Sequence, residues 1–235
     1  MNGVHDLGGT DGVGPVVPDK DGEPVFFADW ERAALLMFPA GAKAGLFQLD
    51  QFRYGIEQMA ASEYLTTPYY EHWAHTVSHH AQRNGLFDED ELNERAQYYL
   101  EHPDAKLPDR KDPELIEFLD TVFKTGASCR LPSDAPAHFS VGDRVVVASD
   151  SPTGHTRRAG YVRGRVGTIT LAHGTFVYPD GVANGAEETA EHVYTVQFTA
   201  QELWGEAIGD PNVTVCFDVW EPYITLAPAL TTQGV

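Results

Sequence analysis

The hydrophobic pattern of this 235-residue chain changes period near residue 130. Upstream, apolar residues recur at the i, i+3, i+4 and i+7 spacing of one helix face. Downstream they alternate or form short β-branched runs, the pattern of half-buried strands. Helices followed by strands make an α+β chain. No apolar run reaches the roughly 20 residues needed to span a bilayer. The segment Met1–Thr10 has neither the cationic nor the apolar stretch of a secretion signal.

Five helices carry start and stop signals. Asp29 to Phe38 puts Trp30, Ala33, Ala34, Met37 and Phe38 on one face. Asp50 can cap a helix holding Phe52, Ile56 and Met59. Thr67-Pro68 reads as a cap with proline at the first helical position, the helix running to Asn84 before Gly85. Asp88 with Glu91 resembles a capping box for a helix to Glu101. Asp112-Pro113 opens the last, with Leu115, Ile116, Leu119, Val122 and Phe123 inside and Gly126 at its end. Strand-like runs follow at Val141–Ala148, Tyr161–His173, His192–Phe198 and Val213–Ile224, with tight turns expected at Gly142-Asp143 and Gly164–Gly167. The expected organisation is therefore a Gly- and Pro-rich extended arm (1–25), a helical domain (26–128), a linker (129–138) and an SH3-like β-barrel (139–235).

Lys and Arg number 16 against 35 Asp and Glu, a formal charge of −19. Phosphate neutralisation needs clustered cations, so no nucleic acid is expected as a partner, and no anionic membrane surface. The two cysteines, Cys129 and Cys216, form no Cys-x-x-Cys and no disulfide framework. A reduced, cytoplasmic protein is expected.

Four constellations could carry chemistry. His72, His75 and His79 share one helical face, with His80 beside it; the pair at i, i+4 has zinc spacing, but a third ligand is lacking, and packing or interface histidines are the alternative. Arg157, Arg158, Arg163 and Arg165 crowd one loop and strand. Their rigid forks suit a carboxylate, a phosphate or an oxidised sulfur, or else they pair with surplus Asp and Glu. Arg53 stands in an apolar first turn, where a cation opposes the helix dipole unless a partner supplies an anion. Tyr69-Tyr70-Glu71-His72-Trp73 is an aromatic block suited to a core or an interface. No complete catalytic set emerges, and the pattern is that of a subunit that completes another chain's site.

The opening Met-Asn-Gly-Val-His-Asp-Leu-Gly-Gly, Phe52-Arg-Tyr-Gly-Ile-Glu-Gln, Tyr64-Leu-Thr-Thr-Pro-Tyr-Tyr-Glu-His-Trp, Gly154-His-Thr-Arg-Arg-Ala-Gly-Tyr-Val-Arg-Gly-Arg-Val-Gly, Tyr194-Thr-Val-Gln-Phe-Thr-Ala-Gln-Glu-Leu-Trp-Gly and Trp220-Glu-Pro-Tyr together resemble the nitrile hydratase β-subunit family over nearly the whole chain. The resemblance implies hydration of a small nitrile to an amide by an αβ or (αβ)2 assembly. It implies a cobalt(III), alternatively iron(III), held by a cysteine cluster on the α subunit, so no metal ligand is expected here. Trp73 resembles the cobalt type. By the same resemblance Arg53 and Arg157 hydrogen-bond the oxidised cysteine oxygens, Tyr69 orients or assists the attacking group, and Phe38, Leu49, Phe52 and Trp73 line the substrate pocket. The competing readings are a thiocyanate hydrolase-like subunit, whose β-like sequence is split over two shorter chains, a maturation protein resembling only the helical half, and a free-standing SH3-like binding module.

Overall fold

Two helices start at the short polar side chains that the sequence marks, Asp88 and Asp112. The computed structural model describes residues 3–229 apart from 11, 13, 16 and 19. Two units form, Val16–Ser128 and Met1–Pro15 with Cys129–Val235. In the first, Asp88 accepts the Glu91 N–H at 2.8 Å and Glu91 accepts the Asp88 N–H at 3.1 Å, the reciprocal cap of α5 (Glu89–Glu101). Asp112 accepts the Leu115 N–H at 3.0 Å to start α6 (Pro113–Thr125), and Gly126 takes φ 72° at its end.

Three boundaries differ from the sequence expectation. Helix α1 (Asp29–Lys43) continues past Phe38 and through Pro39. Proline removes one hydrogen bond there, but the last turn packs tightly: a Cβ on Gly41 would stand 2.7 Å from Phe47. Helix α2 (Leu49–Glu57) starts after Gln48 rather than at Asp50, because Gln51 accepts the Gln48 N–H at 2.8 Å. A short α3 (Ala61–Thr66), unforeseen, precedes α4 (Tyr69–Arg83); Pro68 takes the capping position, and the Thr67 hydroxyl instead donates to Glu63 O at 2.7 Å.

Helices α2 and α4 pack at backbone distance. The Thr76 hydroxyl donates to Phe52 O at 2.8 Å, and the His80 ring bonds Gln51 O at 2.9 Å. Ala34, Phe47, Phe52 and Ala81 are buried in this core. Each fully buried phenylalanine removes enough apolar surface to contribute about 2–3 kcal/mol.

The second unit is built on strands β1 (Arg144–Val147), β2 (Val166–Val177), β3 (Ala190–Thr199), β4 (Thr214–Trp220) and β5 (Ile224–Leu226), with short helices α7 (Pro179–Ala183) and α8 (Ala200–Trp204) between them. All pairings are antiparallel, in the order β4-β3-β2-β1-β5. The sheet is open among the described residues: β4 and the three-residue β5 are its edges and do not pair with each other, so the expected closed barrel does not form. Val145, Val147, Ile169, Tyr194, Val196, Phe198, Val219 and Tyr223 fill its core. Tyr161 lies in a 3-10 turn (Gly160–Val162) rather than in a strand, and residues 148–165 form a long loop rather than a tight hairpin. The charges explain this. Arg158 grips Asp150 through both carboxylate oxygens at 3.0 Å, and Arg163 donates to Arg158 O at 3.0 Å, so side chains tie the middle of the loop, while the Gly164 N–H to Val147 O bond at 2.8 Å joins its end to β1.

Segments outside the strands also lie on this unit. Leu131 donates to Thr175 O at 3.3 Å and Val177 to Cys129 O at 3.0 Å. Asp6 accepts the Gly160 N–H at 2.8 Å. Glu221, in the turn between β4 and β5, accepts the His138 N–H at 3.0 Å and its ring nitrogen and the Tyr194 hydroxyl at 2.5 Å each. Among the described residues no helix is long and apolar enough to cross a membrane.

Candidate active site

An aromatic cluster grows from three helices. Phe38 comes from α1, Phe52 from α2 and Trp73 from α4; the ring centroids lie 4.6 Å apart for Phe38–Phe52, 5.2 Å for Phe52–Trp73 and 5.5 Å for Phe38–Trp73. Edge-to-face and tilted contacts of this kind stabilise by about 0.5–1.5 kcal/mol each beyond area burial. Tyr69 joins from the first turn of α4, 5.8 Å from Trp73. A cavity of about 330 Å³ opens beside them. Its wall holds Phe38, Leu49, Phe52, Arg53, Tyr69 and Trp73, six of the seven residues selected from the sequence. Tyr69 is 65% exposed and stands at the rim.

Arg53 is the fifth residue of α2, not part of its first turn, so the opposition to the helix dipole largely disappears. Asp50, in that first turn and 7% exposed, accepts from the Arg53 guanidinium at 2.8 Å. A carboxylate there favours the dipole and fixes one edge of the fork.

Sequence reasoning did not assign Ile56, Tyr64 and His72 to this cavity, which they also line. Tyr64 stacks on His72 at 4.8 Å. Burial lowers the His72 pKa, partly offset by a hydrogen bond with the Tyr64 backbone, and burial raises that of Tyr64, so both rings are neutral at pH 7. His72 Nε2 is buried with no hydrogen-bond partner among the described residues. The signal was present in the Tyr64–Trp73 block, where His72 and Trp73 are neighbours.

The histidine face of α4 divides in space. His72 enters the aromatic cavity, whereas His75 and His79 line a separate groove with Glu63 and Glu71. Among the described residues no three His, Cys, Asp or Glu side chains are grouped to hold a metal ion.

The seventh residue, Arg157, belongs to the sheet unit. Its N–H donates to the Tyr223 hydroxyl at 3.2 Å. Of the basic loop, Arg158 is 4% exposed and committed to Asp150, so charge pairing accounts for it. That contact lowers the Asp150 pKa.

Family models for the nitrile hydratase β subunit match twice, the N-terminal model over residues 1–116 and the C-terminal model over residues 128–226. The chain belongs to the nitrile hydratase β-subunit family. It is 55% identical over 225 residues to the low-molecular weight cobalt-containing nitrile hydratase subunit beta of Rhodococcus rhodochrous, covering 95% of this chain and 99% of the relative. It is 53% identical over 227 residues to the cobalt-containing nitrile hydratase subunit beta of Pseudonocardia thermophila, covering 96% and 97%. The nitrile hydratase subunit beta of Pseudomonas putida is 36% identical over 95% of this chain and 99% of its own length. Among solved structures, thiocyanate hydrolase of Thiobacillus thioparus is 30% identical and covers 39% of this chain and 78% of its own, with a TM-score of 0.36.

Proposed function

We propose that this chain is the β half of a nitrile hydratase and that, with an α subunit, it completes a site adding water across a nitrile to give an amide. The observation that carries this is the gathering of Phe38, Leu49, Phe52, Arg53, Tyr69 and Trp73 around one cavity in a member of this family. The cobalt(III) bound by the α subunit's cysteine cluster, alternatively iron(III), supplies Lewis-acid activation of the nitrile or of the attacking oxygen. The two cobalt-containing relatives and Trp73 support cobalt.

This chain contributes position and charge. Phe38, Leu49, Phe52 and Trp73 hold the apolar group of a small nitrile and exclude bulk water. Tyr69 orients the attacking oxygen from the rim. Arg53 and Arg157 donate to the oxidised cysteine oxygens, where a planar, permanently charged fork gives paired hydrogen bonds that lysine cannot. In the same reading the chain is an arm (1–25), a helical domain (26–128), a linker (129–138) and a sheet domain (139–235). Its β4-β3-β2-β1-β5 order, with a 3-10 turn between β4 and β5, supports an SH3-like assignment. An αβ or (αβ)2 assembly in the cytoplasm belongs to the reading too.

The test is assay of the purified chain alone and after co-expression with a cysteine-cluster α subunit. Turnover by the pair and none by the chain alone is expected. Nitrile hydration by the isolated chain would refute the proposal.

A further inference from the structure

The Trp220-Glu-Pro-Tyr motif ends in a tyrosine that reaches three consecutive residues of the arginine loop. Tyr223 is 2% exposed. Its hydroxyl accepts the Arg157 N–H at 3.2 Å and a hydrogen bond from the Thr156 side chain, and donates to the Asp180 carboxylate. The Arg158 guanidinium lies 5.6 Å from the centre of its ring. One phenol thus uses its proton, its lone pairs and its face at once. A hydroxyl with one donor and two acceptor positions is saturated by this set.

Arg158 is fixed on its other side by the double contact to Asp150 at 3.0 Å. The backbone is therefore clamped at residue 157 through its N–H and at residue 158 through its side chain. Those clamps set the origin and direction of the Arg157 Cα–Cβ bond, and hence where its guanidinium can reach. Asp180, at the start of α7, selects which way the Tyr223 proton points. With the proton on Asp180, the phenol oxygen presents its lone pairs to Thr156 and Arg157. Burial and the nearby Asp180 raise the Tyr223 pKa, so the phenol keeps that proton throughout the neutral range.

We propose that Tyr223 is a positioning residue for Arg157, with Asp180 orienting its hydroxyl; this rests on the role given to Arg157 above. The experiment is a double-mutant cycle in the metal-loaded αβ complex with Tyr223→Phe, Arg157→Lys and both together. Tyr223→Phe keeps the ring under Arg158 and removes the oxygen. It should lower kcat roughly tenfold, the size of one lost oriented hydrogen bond, with KM for a small aliphatic nitrile changed less than about twofold. The double variant should be no slower than Arg157→Lys alone. Amide hydrogen exchange in a peptide spanning 154–160 should quicken at unchanged metal content. Should Tyr223→Phe fail to assemble, Asp180→Ala replaces it in the same cycle, with the same non-additivity expected. Multiplying losses in the double variant overturn the proposal. Wild-type kcat in Tyr223→Phe beside an impaired Arg157→Lys overturns the positioning role alone, and wild-type rates in Arg157→Lys remove the role of Arg157 and this inference with it.

Discussion

The Thr76 hydroxyl donates to the Phe52 carbonyl at 2.8 Å, and Gly55, one turn further along α2, lets the two helices come this close. A Cβ at residue 55 would meet Thr76 Oγ1 at 2.0 Å and Thr76 Cβ at 3.0 Å. No rotation of a short buried threonine clears that. Gly55→Ala should therefore separate α2 from α4 and cost about 3 kcal/mol or more of stability, at the upper end of overpacking effects. Urea unfolding of the isolated chain checks it, and an unchanged midpoint would be the wrong result. Because α2 also carries Phe52 and Arg53, activity of the assembled enzyme should fall with it.

Arg53 and its partner test separable ideas. Arg53→Lys keeps the charge and loses the fork, and should lower kcat about 10–100-fold while unfolding stability stays within about 0.5 kcal/mol. Asp50→Asn keeps an acceptor for Arg53 and should lower kcat less. Steady-state kinetics with urea melts on the same preparations distinguish lost chemistry from lost fold.

Much of this was legible in the sequence, and the remainder has physical causes. The period change near residue 130 separated helices from strands, and Asp88 and Asp112 capped where their spacing said. The expected start at Asp50 failed because Gln51 satisfied the Gln48 N–H first, a choice between two polar side chains that propensity does not make. The closed barrel failed because sheet closure depends on long-range edge pairing, which local alternation does not encode. At the site, the family resemblance, not periodicity or spacing, singled out Phe38, Leu49, Phe52, Tyr69 and Trp73, which line one cavity. That His72 faces the cavity while His75 and His79 do not follows from how α4 sits against α2 and α3, which no helical spacing reveals.

Trp73 should set the size of the accepted nitrile. Its ring packs against Phe38, Phe52 and Tyr69 in the cavity wall, so truncation to alanine enlarges the cavity. Relative kcat/KM for an aromatic over a two-carbon nitrile should rise about tenfold, the effect of a few methylenes of pocket volume. Competition assays with both nitriles read this ratio directly, and an unchanged ratio would place the substrate elsewhere.

Glu221 should make the sheet unit acid-sensitive. Burial would raise its pKa, but hydrogen bonds from Tyr194 and from the His138 backbone and ring outweigh it, so the net shift is downward. A depressed folded pKa gives stability that is full above the unfolded value of about 4.3 and lost as pH falls through the folded value. The melting temperature of the chain should therefore drop on acidification below about pH 4. Glu221→Gln should melt lower at pH 7 and lose part of that acid slope. Parallel slopes for both proteins would show that Glu221 is not responsible.

The central claim is that this chain presents two guanidinium groups and an apolar wall to a metal centre held by its partner. A crystal structure of the assembled αβ enzyme measures it most directly. Both the Arg53 and Arg157 guanidinium nitrogens should lie about 3 Å from oxygens on the α subunit's oxidised cysteines. Either group pointing into bulk solvent, away from those oxygens, would contradict the account.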